Sequence, residues 1–347
     1  MNPVSQRLLS QQLICPQFTT PEEAVNWMGA VQAQDYKGMR WAVAMRTRRP
    51  SAKAFKRAYD SGAIVRFHLM RGTWQLVSAE DYRPWIELCS RKAIAVTRGW
   101  MATNGISIPD EELYRVRDVL CRIVTDLGSA TKEEIVRGLA ERDIRMDDHR
   151  LSYHIRMAEL SGVLCSGDLL PRKATYALAD DKMPAREPFE RDDALMRFTL
   201  KYFRHSQPAT LEDFAWWSGL GLNDCRRGIA LLGDWLHTEN WRGREFFLTD
   251  DARTRGFRKD RCILLPPFDE YLISYKSRDV VLPPEHRHRA HDQSGTFWPV
   301  CLLDGKVAGN WSAAAERVAV SPFNEDSGPG HASLEAEIGR YLAFLKR

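Results

Sequence analysis

Cysteine is scarce and scattered: Cys15, Cys89, Cys121, Cys165, Cys225, Cys262 and Cys301 are spread over 347 residues and never fall in CxxC spacing. An odd, dispersed set argues against both a disulfide framework and a zinc ribbon, and leaves the thiols as small core residues. No apolar run is long enough to span a bilayer. The start, Met1 to Arg7, lacks the basic, apolar and small-residue order of a signal peptide, so a cytosolic chain is expected. Neither sign of charge dominates, with 50 Lys and Arg against 46 Asp and Glu and a net charge of +4. Overall charge therefore does not announce a nucleic-acid partner, and only local clusters can: Arg46 to Arg49, Arg253 to Arg261, and Arg287 to Arg289. What remains is ordinary globular composition, 44% hydrophobic and 28% charged, in a chain long enough for two to four small units.

A repeat organises the middle of the chain. Ala130-Thr131-Lys132-Glu133-Glu134-Ile135 aligns with Ala209-Thr210-Leu211-Glu212-Asp213-Phe214, each opening a short helix with a capping threonine. Helical periodicity precedes each copy, at Leu113 to Leu127 and Ala194 to Phe203, and follows it, at His149 to Leu160 and Asn223 to Leu232. Both then run into strands ending at Tyr176 to Asp180 and Phe246 to Asp250. Three helices and a β-hairpin is the order of a winged-helix unit. A diverged third copy occupies the N-terminus: Ser5 to Ile14, then a helix opened by Thr20-Pro21-Glu22-Glu23, then Ser51 to Ser61, with Ala63 to Met70 and Thr73 to Val77 as the paired strands.

Beyond residue 257 the pattern changes to short apolar runs: Cys262 to Leu265, Val280 to Leu282, Trp298 to Leu303 and Val307 to Trp311. Asp304-Gly305 is a type I′ hairpin signal, and Ser333 to Lys346 is a closing helix expected to bury Leu334, Ile338, Tyr341, Leu342 and Leu345. The expected fold class is α+β: three tandem winged-helix units, 1–105, 106–185 and 186–256, followed by a small β-barrel-like domain, 257–347.

The segment Trp27 to Tyr36 places two amides and a carboxylate, Gln32, Gln34 and Asp35, at the end of an apolar helix. Residues two apart on a helix point roughly 200° apart, so Gln32 and Gln34 converge only if the helix stops before them and the chain becomes extended. As a plain surface or capping group, each needs no function. The stretch Glu285-His286-Arg287-His288-Arg289-Ala290-His291-Asp292 has the residue types of a zinc site but not a ligand spacing, and its arginines repel a cation. It reads instead as a cationic loop against DNA backbone.

Three segments together resemble the AlkZ/YcaQ-like family of winged-helix DNA glycosylases: GAVQAQDYKG, MRGTWQLVSAEDY, and LLPPFDEYLISYKSRDVVL with the later FWPVCLLDGKVAGNW. The resemblance runs over nearly the whole chain. It implies a glycosylase without cofactor or metal, acting as a monomer on double-stranded DNA that carries N7-alkylated or crosslinked purines. It also implies that Gln32 and Gln34 place the hydrolytic water, with Asp35 either supporting the charge or capping the chain. Lys37 is the one lysine beside the pair, so lyase chemistry is not expected. Where the family pattern leads one to expect His, this sequence has Gln75. Candidate DNA contacts are Arg40, Arg46, Arg48, Arg71, Arg287 and Arg289; Asp269, Glu270 and Tyr271 read as interface anchors. The competing reading is a non-catalytic winged-helix regulator whose C-terminal domain senses a ligand.

Overall fold

The computed structural model describes residues 2–185, 187–314, 317–324 and 330–347. The first stretch of the chain contains α1 (Pro3–Ser10), α2 (Pro21–Met28), β1 (Val31–Gln32), α3 (Gly38–Ala44), α4 (Ala52–Asp60), β2 (Ile64–His68), β3 (Trp74–Ser78) and α5 (Ala79–Thr103). Then follow α6 (Asp110–Leu127), β4 (Ala130–Thr131), α7 (Lys132–Ala140), α8 (Asp148–Leu160), β5 (Leu164–Ser166), β6 (Thr175–Leu178) and α9 (Ala179–Lys182). A third stretch holds α10 (Arg191–Ser206), α11 (Leu211–Ser218), α12 (Leu222–Leu232), β7 (Leu236–Trp241) and β8 (Arg244–Thr249). The last contains β9 (Cys262–Leu265), α13 (Glu270–Ile273), α14 (Arg287–Ala290), β10 (Val300–Leu303), β11 (Lys306–Ala314), β12 (Arg317–Pro322) and α15 (His331–Lys346). The mixture of helix and antiparallel sheet is α+β, and among the described residues no helix is long and apolar enough to cross a membrane.

The three threonines picked out from the sequence start their helices by one device. Thr20, Thr131 and Thr210 each accept the backbone N–H three residues on, while Glu23, Glu134 and Asp213 reach back to the cap. Two of the N–H groups that a helix start leaves unpaired are satisfied in each case. The strands form antiparallel sheets in the orders β1-β3-β2, β4-β6-β5 and β7-β8.

The last sheet has the order β12-β11-β10-β9 and stays open among the described residues, so the expected barrel is corrected to a four-stranded open sheet. Helix α15 covers its β9 edge instead. The Cys262 N–H donates to Ser333 Oγ at 2.8 Å and the Leu264 N–H to Glu337 Oε1 at 3.4 Å. Pairing an exposed edge with side chains removes the need for closure. Asp304 and Gly305 have φ of 52° and 81°, as a type I′ turn requires. Val280 to Leu282 is not a strand: Val281 and Leu282 both donate to the Arg278 carbonyl in a turn before Pro283-Pro284, with both side chains buried. In α15, Leu334, Ile338 and Tyr341 pack on the core, but Leu345 faces solvent.

The cores cross the segment boundaries. One cluster joins Leu8, Leu9 and Trp41 to the C-terminal sheet and Phe344, and another joins Phe67 and Trp85 to Phe198, Phe214 and Trp217. The N-terminal elements are thus clamped between the third and fourth stretches of chain.

Candidate active site

Helix α2 ends at Met28, and Gly29 follows at φ 67°, a left-handed conformation that glycine adopts without a Cβ penalty. The chain emerges extended through Val31 and Gln32, so the helix does stop before both amides, and Gln34 lies just beyond the strand in a bend. Strand β1 pairs with β3, with Gln32 opposite Gln75, and the ladder continues as the Ala33 N–H donates to the Trp74 carbonyl at 2.8 Å. Gln32 is 9% exposed and Gln34 half-buried, and the Gln34 Oε1 is buried with no hydrogen-bond partner among the described residues.

Two charged groups hold Gln32 from opposite ends. Glu270 Oε1 accepts the Gln32 backbone N–H at 2.7 Å, and Arg71 Nη2 donates to Gln32 Oε1 at 3.0 Å. Glu270 is fully buried at the start of α13, where its Oε2 accepts from Trp217 Nε1 at 3.1 Å and from the Ser274 hydroxyl. Burial raises its pKa, against the pull of Ser274 and the Arg71 charge. Arg71 sits in the turn between β2 and β3 at φ 57°, a left-handed conformation that costs a non-glycine residue roughly 1–2 kcal/mol. Its Nη1 donates to the carbonyls of Trp217 and, at 3.4 Å, Trp216.

Gln75 faces the site as well. Its Nε2 donates to Thr73 Oγ1 at 2.9 Å while its Oε1 is buried without a partner. Where the resemblance leads one to expect His, an unpaired amide oxygen therefore stands directly across the sheet from Gln32. Asp35 is turned away from this work. Its Oδ1 accepts the N–H groups of Lys37, at 3.1 Å, and of Gly38, closing the turn into α3.

The arginines divide sharply. Arg46 is corrected from a DNA contact to an interior ion pair: it is fully buried, with its guanidinium on both oxygens of Asp269 at 2.8 and 2.9 Å and on Gln11 Oε1 at 3.0 Å. Arg71, half-buried, is turned inward onto Gln32 and Trp217. Arg40 is tied to the carbonyls of Leu170 and Pro171 at 2.9 and 3.1 Å. Arg289 donates to the Phe323 carbonyl at 3.0 Å and lies over that ring. Arg48 and Arg287 are exposed, Arg287 paired with Asp279.

A cleft of about 770 Å³ lies apart from the glutamines. Its lining includes Arg244, Lys276, Arg278 and Arg287. Trp216 bridges the two places: its carbonyl accepts from Arg71, and its ring, 43% exposed, lies 5.5 Å from the Arg278 guanidinium. Arg278 Nε donates to the Leu272 carbonyl at 2.8 Å, Nη2 has no partner among the described residues, and burial lowers its pKa to about 10, helped by the Arg287 and Arg71 charges.

Sequence reasoning took Glu270 for an interface anchor rather than part of the site, and missed Trp217. The available signal was two adjacent acids, Asp269 and Glu270, inside the apolar run from Leu264 to Ile273, because carboxylates placed there are buried and must find cations or donors.

A family model described as DNA glycosylase AlkZ-like matches residues 25–344. The chain is 27% identical over 318 residues to an interstrand DNA cross-link repair glycosylase of Streptomyces sahachiroi, an alignment covering 87% of this chain and 84% of that protein. It also resembles the solved structure of Streptomyces sahachiroi DNA glycosylase AlkZ, with a TM-score of 0.79, 23% identity, and coverage of 99% of this chain and 95% of that one, a likeness in fold.

Proposed function

The chain belongs to the DNA glycosylase AlkZ-like family, and from that premise we propose that it hydrolyses the N-glycosidic bond of N7-alkylated or crosslinked purines in duplex DNA, without lyase chemistry. Its Streptomyces sahachiroi relative, an interstrand DNA cross-link repair glycosylase, supports the crosslinked class. Family membership also displaces the reading as a non-catalytic regulator. The observation that carries the site is the two-ended grip of Glu270 and Arg71 on Gln32, beside the unpartnered Gln34 oxygen.

The chemistry fits neutral amides. A purine alkylated at N7 is already cationic, so it departs with the bond electrons as the sugar becomes oxocarbenium-like. The protein then mainly has to orient water and stabilise developing charge. Amides are weak bases, so unactivated purines are expected to be poor substrates. Incubating an N7-methylguanine duplex with the enzyme and then with alkali should yield strand breaks. The Gln32→Ala, Gln34→Ala double variant should lower the yield rate by about 100-fold or more, and borohydride should trap no adduct. A double variant as active as wild type would remove the pair from the mechanism.

We read the segments 1–105, 106–185 and 186–256 as winged-helix units and 257–347 as the β domain that delivers Glu270. The three matched capping boxes, each followed by paired strands, support this reading. The DNA backbone then lies along exposed Arg48 and the cleft lined by Arg244, Lys276, Arg278 and Arg287. Replacing Arg278 with Ala is expected to weaken duplex binding irrespective of sequence and to lower the slope of log K against log salt by about 1. Titrations between low and moderate salt that give an unchanged slope would take the cleft out of the interface.

A further inference from the structure

A glutamine side chain is an acceptor at one end and a donor at the other, and the end it presents to a substrate depends on what holds the other. For Gln32 the holder is unambiguous. A guanidinium carries donors only, so the atom 3.0 Å from Arg71 Nη2 is the carbonyl oxygen, and the reversed amide would set donor against donor. Arg71 cannot readily turn away, because its other terminal nitrogen is bound to the carbonyls of Trp217 and Trp216 and its backbone is fixed in the tight turn before Gly72. The Glu270 charge balances it from within the fold, and the same carboxylate pins the Gln32 main chain and the Trp217 indole. Gln32 is therefore left with its NH₂ to offer. No such clamp holds Gln34, whose buried Oε1 has no donor among the described residues.

We propose that the two glutamines are not equivalent: Gln32 is the hydrogen-bond donor to the attacking water and Gln34 its acceptor, a polarity set by Arg71 and Glu270 as positioning residues. The proposal rests on the glutamine pair's being the water site. Water receiving a bond from the Gln32 NH₂ and giving one to the Gln34 Oε1 keeps a lone pair for C1′ of the sugar. The C1′–O bond forms and the C1′–N9 bond breaks, its electron pair neutralising the cationic purine, and the strongly acidic proton of the resulting oxonium is lost to bulk water once the base has left, the Gln34 oxygen having oriented the water without taking its proton.

Glutamate tests this, because it keeps the acceptor and removes the donor. Single-turnover release of N7-methylguanine from duplex DNA is compared for Gln32→Glu and Gln34→Glu, with binding to an undamaged duplex as a check on folding. Gln32→Glu should lose about 100-fold or more, because the donor that fixes the water's orientation toward C1′ is gone, and its new carboxylate would be drawn to Arg71. Gln34→Glu should lose no more than about 10-fold and should become slower as falling pH protonates the new carboxylate, a dependence wild type lacks. Arg71→Lys, which keeps one donor for the Gln32 oxygen, should retain more kcat than Arg71→Ala at similar KM. Equal losses for the two glutamate variants, or the reverse order, would overturn the division of roles. An inactive wild type would instead overturn the glycosylase substrate reading beneath it.

Discussion

Substituting Asp269 by Ala is expected to destabilise the protein by about 3–5 kcal/mol, seen as a large fall in the urea or thermal midpoint. The reason is what stays behind. Arg46 is fully enclosed, and without both Asp269 oxygens its charge keeps only the neutral acceptors Gln11 Oε1 and the Ala42 carbonyl. Breaking one side of such a pair costs far more than removing both, so Arg46→Met combined with Asp269→Leu should recover most of the loss. The helix effect is separable, since Asp269 also caps α13 through the Tyr271 N–H at 2.9 Å, a contribution of roughly 1 kcal/mol. A midpoint shift worth less than about 1 kcal/mol for Asp269→Ala would mean that water reaches Arg46 and that the pair is not interior.

Trp85→Ala should produce a loss of similar size, about 3–5 kcal/mol, by a different route. The ring is wholly buried, meets Phe198 edge-on with centroids 4.8 Å apart, and has the charged ends of Arg197 and Lys201 over its faces. Removing it opens a cavity at the junction of α5 and α10. Its indole N–H also donates to the Gly29 carbonyl at 2.8 Å, the bend that directs the chain into β1 and Gln32. Trp85→Phe should therefore be milder in denaturation yet still slow base release, because that carbonyl loses its donor. Stability loss with full activity in Trp85→Phe would show that the bend holds itself.

The helix starts were legible in the sequence because a capping box is local: Thr20, Thr131 and Thr210 find their partners three residues away. The hairpin at Asp304-Gly305 was legible for the same reason. Helices α3 and α5 were not read, since α3 begins without a side-chain cap and α5 runs on from β3 with no breaker at Ser78 and Ala79. The misassigned arginines show the harder limit. Nothing in the local sequence separates Arg46, enclosed by Asp269, from Arg48 two residues on in solvent, because the difference is made by a residue 223 positions away. Gln32 and Gln34 could be named, but their unequal surroundings depend on Arg71 and Glu270, which only the folded chain brings to them.

Those long reaches have a consequence for how the enzyme comes into being on the ribosome. Asp269 and Glu270 emerge more than two hundred residues after the arginine and glutamine they secure, so the N-terminal three-quarters of the chain leaves the exit tunnel with the Arg46 charge uncompensated and the Gln32 main chain without its Glu270 acceptor. A nascent or prematurely terminated product that stops short of Asp269 lacks the Glu270 clamp on Gln32, and with it Lys276, Arg278 and Arg287 of the basic cleft. If the glutamines are the water site as proposed, base excision, which leaves behind a fragile abasic sugar, waits until synthesis has passed the segment that completes the fold.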